Sequence, residues 1–187
     1  PKNAVLVFNE TKVIPARMEL KKSTGGTVRA LYLETKGNAI RTMCEGHLKS
    51  GDRLTWEDGH SFEVIERDGK EALLQPSFPL DQLMNLLDQF GQTPLPPYMK
   101  DSLLTEAERR SEYQTVFAHE NGSVAAPTAG LHFTNELLTA IQKHGCAIEY
   151  VTLHVNLGTF APLTEEHVKE HRLHTEHYSI APEVAER

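Results

Sequence analysis

Asp58-Gly59, then Phe62-Glu63-Val64-Ile65, then Asp68-Gly69: the reading of this stretch decides the fold of the first half of the chain. An aspartate-glycine pair tolerates the positive φ that a tight hairpin turn demands, and the run between the two pairs is β-prone. Working outward, Gly25-Gly26 and Gly37-Asn38 bracket a second such run, Val28-Arg29-Ala30-Leu31-Tyr32-Leu33. Residues 17 to about 78 therefore read as a meander of five or six short antiparallel strands, the spacing of a small barrel or sandwich.

Beyond the meander the period changes. Leu80, Leu83, Met84, Leu87 and Phe90 recur at helical spacing, and Gly91 stands where a C-terminal cap falls, so the spacing predicts an amphipathic helix over 80–90 with its stripe in the core. Pro94-Leu95-Pro96-Pro97-Tyr98 cannot be helix interior and reads as a rigid linker out of the β unit. Thr105 to Arg110 suits a short charged helix. From Thr134 the pattern is α/β: Thr134 as N-cap, Leu137, Leu138 and Ile141 as a stripe, Gly145 as the stop, then an alternating strand over Ala147 to Val155. A further helix is expected from Thr164, with Glu165 and Glu166 in its first turn. At the other end, Ala4 to Phe8 is continuously apolar, the pattern of a fully buried strand, broken by Asn9-Glu10-Thr11. The expected architecture is α/β plus all-β: an α/β domain of residues 1–16 and 93–187, interrupted by a β-barrel domain of residues 17–92.

The composition sets outer limits. With 187 residues, 39% hydrophobic and 24% charged, the chain can bury one sizeable core or two small ones, which excludes a disordered or fibrous protein. No stretch approaches the roughly 18 apolar residues of a membrane-spanning helix, and no secretion signal precedes the first strand, so a soluble, cytoplasmic protein with no membrane partner is expected. Two cysteines, Cys44 and Cys146, make neither a disulfide framework nor a zinc cluster. The net charge of -7 argues against bulk electrostatic binding of nucleic acid. Lys21, Lys22, Arg29, Lys36 and Arg41 nevertheless give the β unit a local basic bias, which fits either RNA contact or a solvated sheet face. Pro1 is not Met and the apolar run begins almost at once, the look of a piece of something longer.

Three segments have the residue types of a site. Gly122-Ser123-Val124-Ala125-Ala126-Pro127-Thr128-Ala129-Gly130-Leu131-His132-Phe133-Thr134 is nearly free of bulky side chains before a helix begins, so its backbone can approach a ligand closely and the helix amides suit an anion. A tightly packed loop explains the same composition. Leu153-His154-Val155-Asn156-Leu157-Gly158-Thr159-Phe160 ends a strand in polar, glycine-containing sequence, and ligands gather beyond the carboxyl ends of parallel strands. His167, His171, His174 and His177 recur with Glu170 and Glu176 among them; on a helix the first three share a face, the geometry of a metal site, but the HExxH order is missing. Acid/base work by one or two of these histidines is the preferred reading, because imidazole titrates near neutrality. Phosphate-loop, dinucleotide-fold and nucleophile-elbow motifs are all missing.

Six ordered blocks then carry a resemblance: Asn9 to Arg17, Pro94 to Tyr98, Tyr113 to Ala118, Gly122 to Thr134, Leu153 to Phe160, and His171 to Glu176. Together they closely resemble the S-adenosylmethionine:tRNA ribosyltransferase-isomerase family of queuosine biosynthesis. The resemblance covers essentially the whole chain, and since family members are considerably longer, it implies a central piece of such a protein. It implies transfer and isomerisation of the ribosyl part of S-adenosylmethionine, as co-substrate, onto a 7-aminomethyl-7-deazaguanine base at the wobble position of a tRNA, with release of adenine and methionine and without a metal. It also implies the α/β domain with a β-barrel insertion. The implied catalytic set is His132, His154, His171, His174 and Glu176. The implied S-adenosylmethionine contacts are Ala126, Pro127, Thr128, Ala129, Gly130, Phe133, Gly158 and Thr159, and Asn9, Thr11 and Arg17 fall to the tRNA or its base. A sulfonium favours a carboxylate or an aromatic face, for which Glu176 and Phe133 are the candidates. Two positions depart from the family: Asn156 stands where it usually has glycine, and His177 where it has an aromatic residue such as tryptophan. The rival classes are a metal-dependent hydrolase using His167, His171 and His174, and a noncatalytic RNA-binding module. The sequence leaves the oligomeric state open.

Overall fold

In the computed structural model, which describes residues 3–96, 99, 103–156 and 176–187, both aspartate-glycine pairs turn hairpins, with Gly59 at φ +96° and Gly69 at φ +52°. Six strands follow from this punctuation: β3 (Arg17–Lys22), β4 (Thr27–Lys36), β5 (Ala39–Cys44), β6 (Arg53–Thr55), β7 (Ser61–Asp68) and β8 (Glu71–Pro76). They form a closed antiparallel barrel in the order β3-β4-β5-β8-β7-β6, with Lys21 opposite Thr55 and Lys22 opposite Leu54 completing the ring. The period of two is visible in burial. Met18 and Leu20 point inward between Arg17, Glu19 and Lys21, and Ala72 and Leu74 do the same on β8. Phe62 meets Trp56 edge-on at 5.2 Å and Phe78 at 5.4 Å. The Thr42 hydroxyl, also inside, donates to the Ala72 carbonyl at 3.1 Å, so this buried polar group is satisfied.

The expected helix over 80–90 begins instead as a 3₁₀ turn (Leu80–Gln82) and becomes α1 only over Leu83–Phe90. Its buried side chains are Leu83, Leu86 and Leu87, while Met84, assigned to the stripe, is exposed. Gly91 does follow the helix, but at φ -75°. Its requirement is space: a Cβ there would lie 2.0 Å from the Pro15 carbonyl oxygen and 2.4 Å from that of Leu87. Part of the basic bias of this unit is paired with acidic side chains. Lys22 pairs with Asp52 at 3.0 Å and Arg41 with Glu34 at 3.2 Å, and acidic side chains outnumber basic ones between Pro15 and Pro94.

The chain divides into two compact units, Pro15–Pro94 and the pair Pro1–Ile14 with Leu95–Arg187, so Pro15, Ala16, Thr93 and Pro94 fall with the barrel. The second unit is built on β1 (Val5–Asn9), β2 (Thr11–Val13), β9 (Glu120–Ser123), β10 (Ala147–His154) and β11 (His177–Ser179), with helices α2 (Glu106–Glu112), α3 (Asn135–Lys143) and α4 (Pro182–Ala185). β1 runs parallel to β10, from Val5 opposite Ala147 to Asn9 opposite Val151, and β11 is antiparallel on the other side of β10. β2 runs parallel to β9. Asn9-Glu10-Thr11 thus does not end the extended chain; it moves it from one parallel partner to another. α2 starts with a capping box, Thr105 with Glu108, and α3 with the Thr134 hydroxyl accepting from the Leu137 amide at 3.2 Å.

One expectation fails clearly. Ala4 to Phe8 is not fully buried: Phe8 is covered, but Val5 is 46% and Val7 57% exposed. Parallel strands of continuous apolar character need both faces covered, and here only the face bearing Phe8 is. That face carries an aromatic cluster, Phe8 against Phe117 at 4.9 Å and against Phe133 at 4.8 Å, with Tyr150 beside Phe117 at 5.9 Å. The helix expected from Thr164 lies outside the described residues. Among the described residues no helix is long and apolar enough to cross a membrane.

Candidate functional site

Two side-chain amides stitch the strand crossings and set the site's frame. Asn9 Nδ2 donates to the Leu153 carbonyl at 2.9 Å, while its Oδ1 accepts from the amides of Leu153 at 3.0 Å and Thr11 at 3.1 Å. Gln114 does the same for Val13, donating to its carbonyl at 2.7 Å and accepting from its amide at 3.0 Å. Each amide reproduces the two hydrogen bonds of a strand neighbour where no strand is available. Asn9, expected against tRNA, has its side chain committed to backbone.

With β1 and β2 so fixed, the carboxyl end of β10 is brought to Thr11. The Thr11 hydroxyl lies 2.8 Å from His154 Nδ1, and Thr11 itself is 0% exposed. The imidazole rests on Gly122: a Cβ at that residue would stand 2.7 Å from Cε1, 2.8 Å from Nδ1 and 2.9 Å from Nε2 of His154. Only glycine lets the ring approach so closely, and its φ of +151° suits glycine as well.

The loop that follows is sewn to the end of β10. The hydroxyl of buried Ser123 lies within hydrogen-bond distance of the carbonyls of Ala125 at 2.8 Å and Val155 at 3.1 Å, which share its one proton, and accepts from the Val155 amide at 2.9 Å. The Val124 amide donates to the Val155 carbonyl at 3.0 Å. One residue on, the Asn156 amide donates to Glu176 Oε1 at 3.3 Å. So the structure gathers the start of the small-residue loop, His154, Asn156 and Glu176. Asn156 needs no left-handed backbone, since Asn3 alone has positive φ among the described non-glycine residues; its buried Oδ1 has no hydrogen-bond partner among them. His177, the other departure, is an exposed residue of β11 opposite His154.

The remainder of the loop does not run straight into a helix. Thr128–His132 forms a 3₁₀ turn, closed by the Gly130 amide donating to the Pro127 carbonyl at 2.8 Å, and Phe133 is extended before α3. Gly130 is buried against Thr115 and Phe117, where a Cβ would come within 2.7 Å of Thr115 Cγ2, so packing accounts for this glycine. Ala126 is buried and Pro127 half-buried, while Thr128, Ala129 and His132 are exposed. Phe133 turns its ring into the Phe8 cluster. Thr134 caps the α3 amide at Leu137, leaving that donor unavailable to an anion.

His171, His174, Gly158 and Thr159 lie outside the described residues, as does His167 of the proposed metal triad. Among the described residues no group of three metal-binding side chains comes together. Arg17 belongs to β3 in the barrel unit, paired through its backbone with Gln92. Sequence reading missed Gly122, Ser123 and Gln114 as site-building residues. The first two were legible only as members of a small-residue run, and Gln114 only as a member of the block Tyr113 to Ala118, with no role attached.

The amino-acid sequence has known relatives. A family model described as queuosine biosynthesis protein matches residues 1–187. The chain is 42% identical over 184 residues to an S-adenosylmethionine:tRNA ribosyltransferase-isomerase of Trichlorobacter lovleyi, covering 97% of this chain and 53% of that one. It is 41% identical over 183 residues to the protein of the same name from Rubrobacter xylanophilus, with the same coverage. A crystal structure of S-adenosylmethionine tRNA ribosyltransferase from Thermotoga maritima is similar at 22% identity and a TM-score of 0.35, over 82% of this chain and 41% of that one. The chain spans about half the length of the curated relatives it matches.

Proposed function

Because the chain belongs to the queuosine biosynthesis protein family, we propose that it forms part of an S-adenosylmethionine:tRNA ribosyltransferase-isomerase, acting in the cytoplasm without a metal on a tRNA that carries 7-aminomethyl-7-deazaguanine at the wobble position. The observation that carries the reading is the gathering of His154, the Ser123–Ala126 backbone and Glu176 at the carboxyl end of a parallel strand.

The reaction is redox-neutral. A base removes a proton acidified by the adjacent sulfonium; the pair left on carbon opens the sugar at its ring C–O bond, and the ring oxygen, becoming a carbonyl oxygen, expels adenine, which leaves with its glycosidic electron pair and takes up a proton. The amine of the tRNA base forms the new C–N bond at the carbon that lost the ring oxygen, the displaced pair closes a C–C bond onto the carbonyl carbon, and the oxygen so freed displaces sulfur, the C–S pair leaving with methionine as a neutral thioether. Two proton transfers are needed, and an imidazole can serve both. His154 is assigned to them first; His132, His171 and His174 are the further candidates. The Glu176 carboxylate, at Asn156, offers a counter-charge to the sulfonium. In Phe133 the ring is already used by Phe8, so the carboxylate is preferred to the aromatic face. Ala126 to Gly130, with Gly158 and Thr159, would enclose the donor and exclude water.

The test is free adenine. The full chain is incubated with S-adenosylmethionine and precursor-bearing tRNA, and His154→Ala should lose at least about 10²-fold in adenine release, the lower end of general acid/base contributions. No adenine release from the unaltered enzyme of which the chain is proposed to form part would refute the reading.

A further inference from the structure

Thr11 is buried completely within β2, its backbone amide held by Asn9 Oδ1 at 3.1 Å and its hydroxyl 2.8 Å from His154 Nδ1. A residue so enclosed reaches the solvent-facing side of the site only through its partner. A Cβ at Gly122 would stand 2.7 to 2.9 Å from Cε1, Nδ1 and Nε2, so the edge of the imidazole that includes both nitrogens lies against this glycine. Nε2 has no hydrogen-bond partner among the described residues. We propose that Thr11 and Gly122 form a seat that fixes the ring plane and tautomer of His154, making Thr11 a positioning residue in place of a tRNA contact. The proposal rests on the reading of His154 as the proton-carrying group.

The chemistry follows from the donor and acceptor inventory of the two groups. For Nε2 to take a proton and hand it on, the neutral ring must carry its hydrogen on Nδ1. The Thr11 hydroxyl then accepts from Nδ1–H both before and after Nε2 is protonated, so the bond survives the whole cycle. A hydroxyl does this without the fixed negative charge of a carboxylate, leaving the ring free to release the proton again. Gly122 contributes shape: a methyl group there pushes the ring off its seat and away from Thr11.

Nitrogen-15 NMR of histidine-labelled full chain reads the tautomer, and adenine release reads turnover. The unaltered chain should show His154 as the Nδ1–H tautomer when neutral. Thr11→Val, nearly isosteric, should give a tautomer mixture and lose roughly 10- to 100-fold in adenine release, as removing the partner that orients a functional histidine commonly does; Thr11→Ser should restore both. If Thr11→Val does not fold, Gly122→Ala carries the same test, with the same loss of tautomer preference expected. An Nε2–H tautomer in the unaltered chain, or an unchanged tautomer ratio in the variants, overturns the proposal. Full adenine release by His154→Ala overturns the underlying reading, whatever the spectra show.

Discussion

The barrel and the α/β unit solve the same problem in opposite ways. In the barrel every strand has two neighbours, the sheet closes on itself, and the side chains within it, Met18, Leu20, Ile40, Leu54, Val64 and Leu74, are inaccessible. Among its described residues the α/β unit has two small parallel pairings, Val5 and Val7 exposed on one face of β1, and strand crossings bridged by Asn9 and Gln114 side chains. Closure removes the strand edges. The open unit keeps its strand ends, and all of the gathered site residues, Thr11, Gly122, Ser123, His154, Asn156 and Glu176, lie there. Most of the largest fully buried side chains lie in one unit, the candidate site in the other.

Four substitutions test that division. The largest effect is expected from Phe62→Ala, which empties the barrel at a residue 1% exposed and ringed by Trp56 and Phe78. Large aromatic truncations cost about 3–5 kcal/mol, so denaturant unfolding should shift by that much while adenine release per folded molecule stays near normal. A collapse of turnover in the folded fraction would break the division. Next, Gly91→Ala forces a methyl onto the Pro15 and Leu87 carbonyls, both backbone and unable to step aside. A loss of about 1–3 kcal/mol is expected, again without a selective loss of turnover; an unchanged melting temperature would show that the close approach is relaxed at no cost.

Ser123→Ala sharpens the contrast from the other side. It strips the Val155 amide of its acceptor in a part-buried position, which costs about 1–3 kcal/mol. Because the same hydroxyl holds the loop to the end of β10, adenine release should fall further than stability explains. Equal losses would reduce Ser123 to a packing residue. The smallest effect belongs to Asp52 in the barrel's surface turn, whose carboxyl is held below the ordinary carboxylate range by the Lys49 amide and the Lys22 ammonium. A carboxylate lowered in the folded state contributes stability above its unfolded value, and that contribution fades as pH falls through the lowered one. The gap in melting temperature between the unaltered chain and Asp52→Asn should therefore be small near neutrality and vanish in strong acid; a gap that widens with acid would reverse the sign.

The barrel was legible because its signals are local. Asp58-Gly59 and Asp68-Gly69 mark turns between strands that pair with each other, and alternation along β3 or β8 says which side faces in. α3 was equally plain from Thr134, Leu138 and Gly145. The α/β unit depends on partners far apart in sequence, Val5 with Ala147 and Thr11 with His154, and nothing in the residues near Thr11 announces an imidazole beside it. Val5 and Val7 looked buried because a continuous apolar run does not say whether its second face has anything to lie against. The histidines and the small-residue loop, Gly122 included, drew notice by composition; that Thr11 and this glycine lie against one of those rings did not.

Arg17 and Gln92, near the two ends of the barrel unit, hydrogen-bond to each other in both directions, at 3.1 and 2.8 Å. This latch has a kinetic consequence. β1 and β10 must find each other across the whole insertion, and an unfolded insertion makes that loop long. Once the barrel has formed, its ends are side by side and the loop is effectively halved, which relieves about 0.6 kcal/mol of closure entropy. The insertion then hastens the pairing that it would otherwise delay. The single tryptophan, Trp56, lies in the barrel and reports it alone. In stopped-flow refolding its fluorescence should settle before the last far-ultraviolet circular dichroism phase, and a common rate for both would show that the two units fold together.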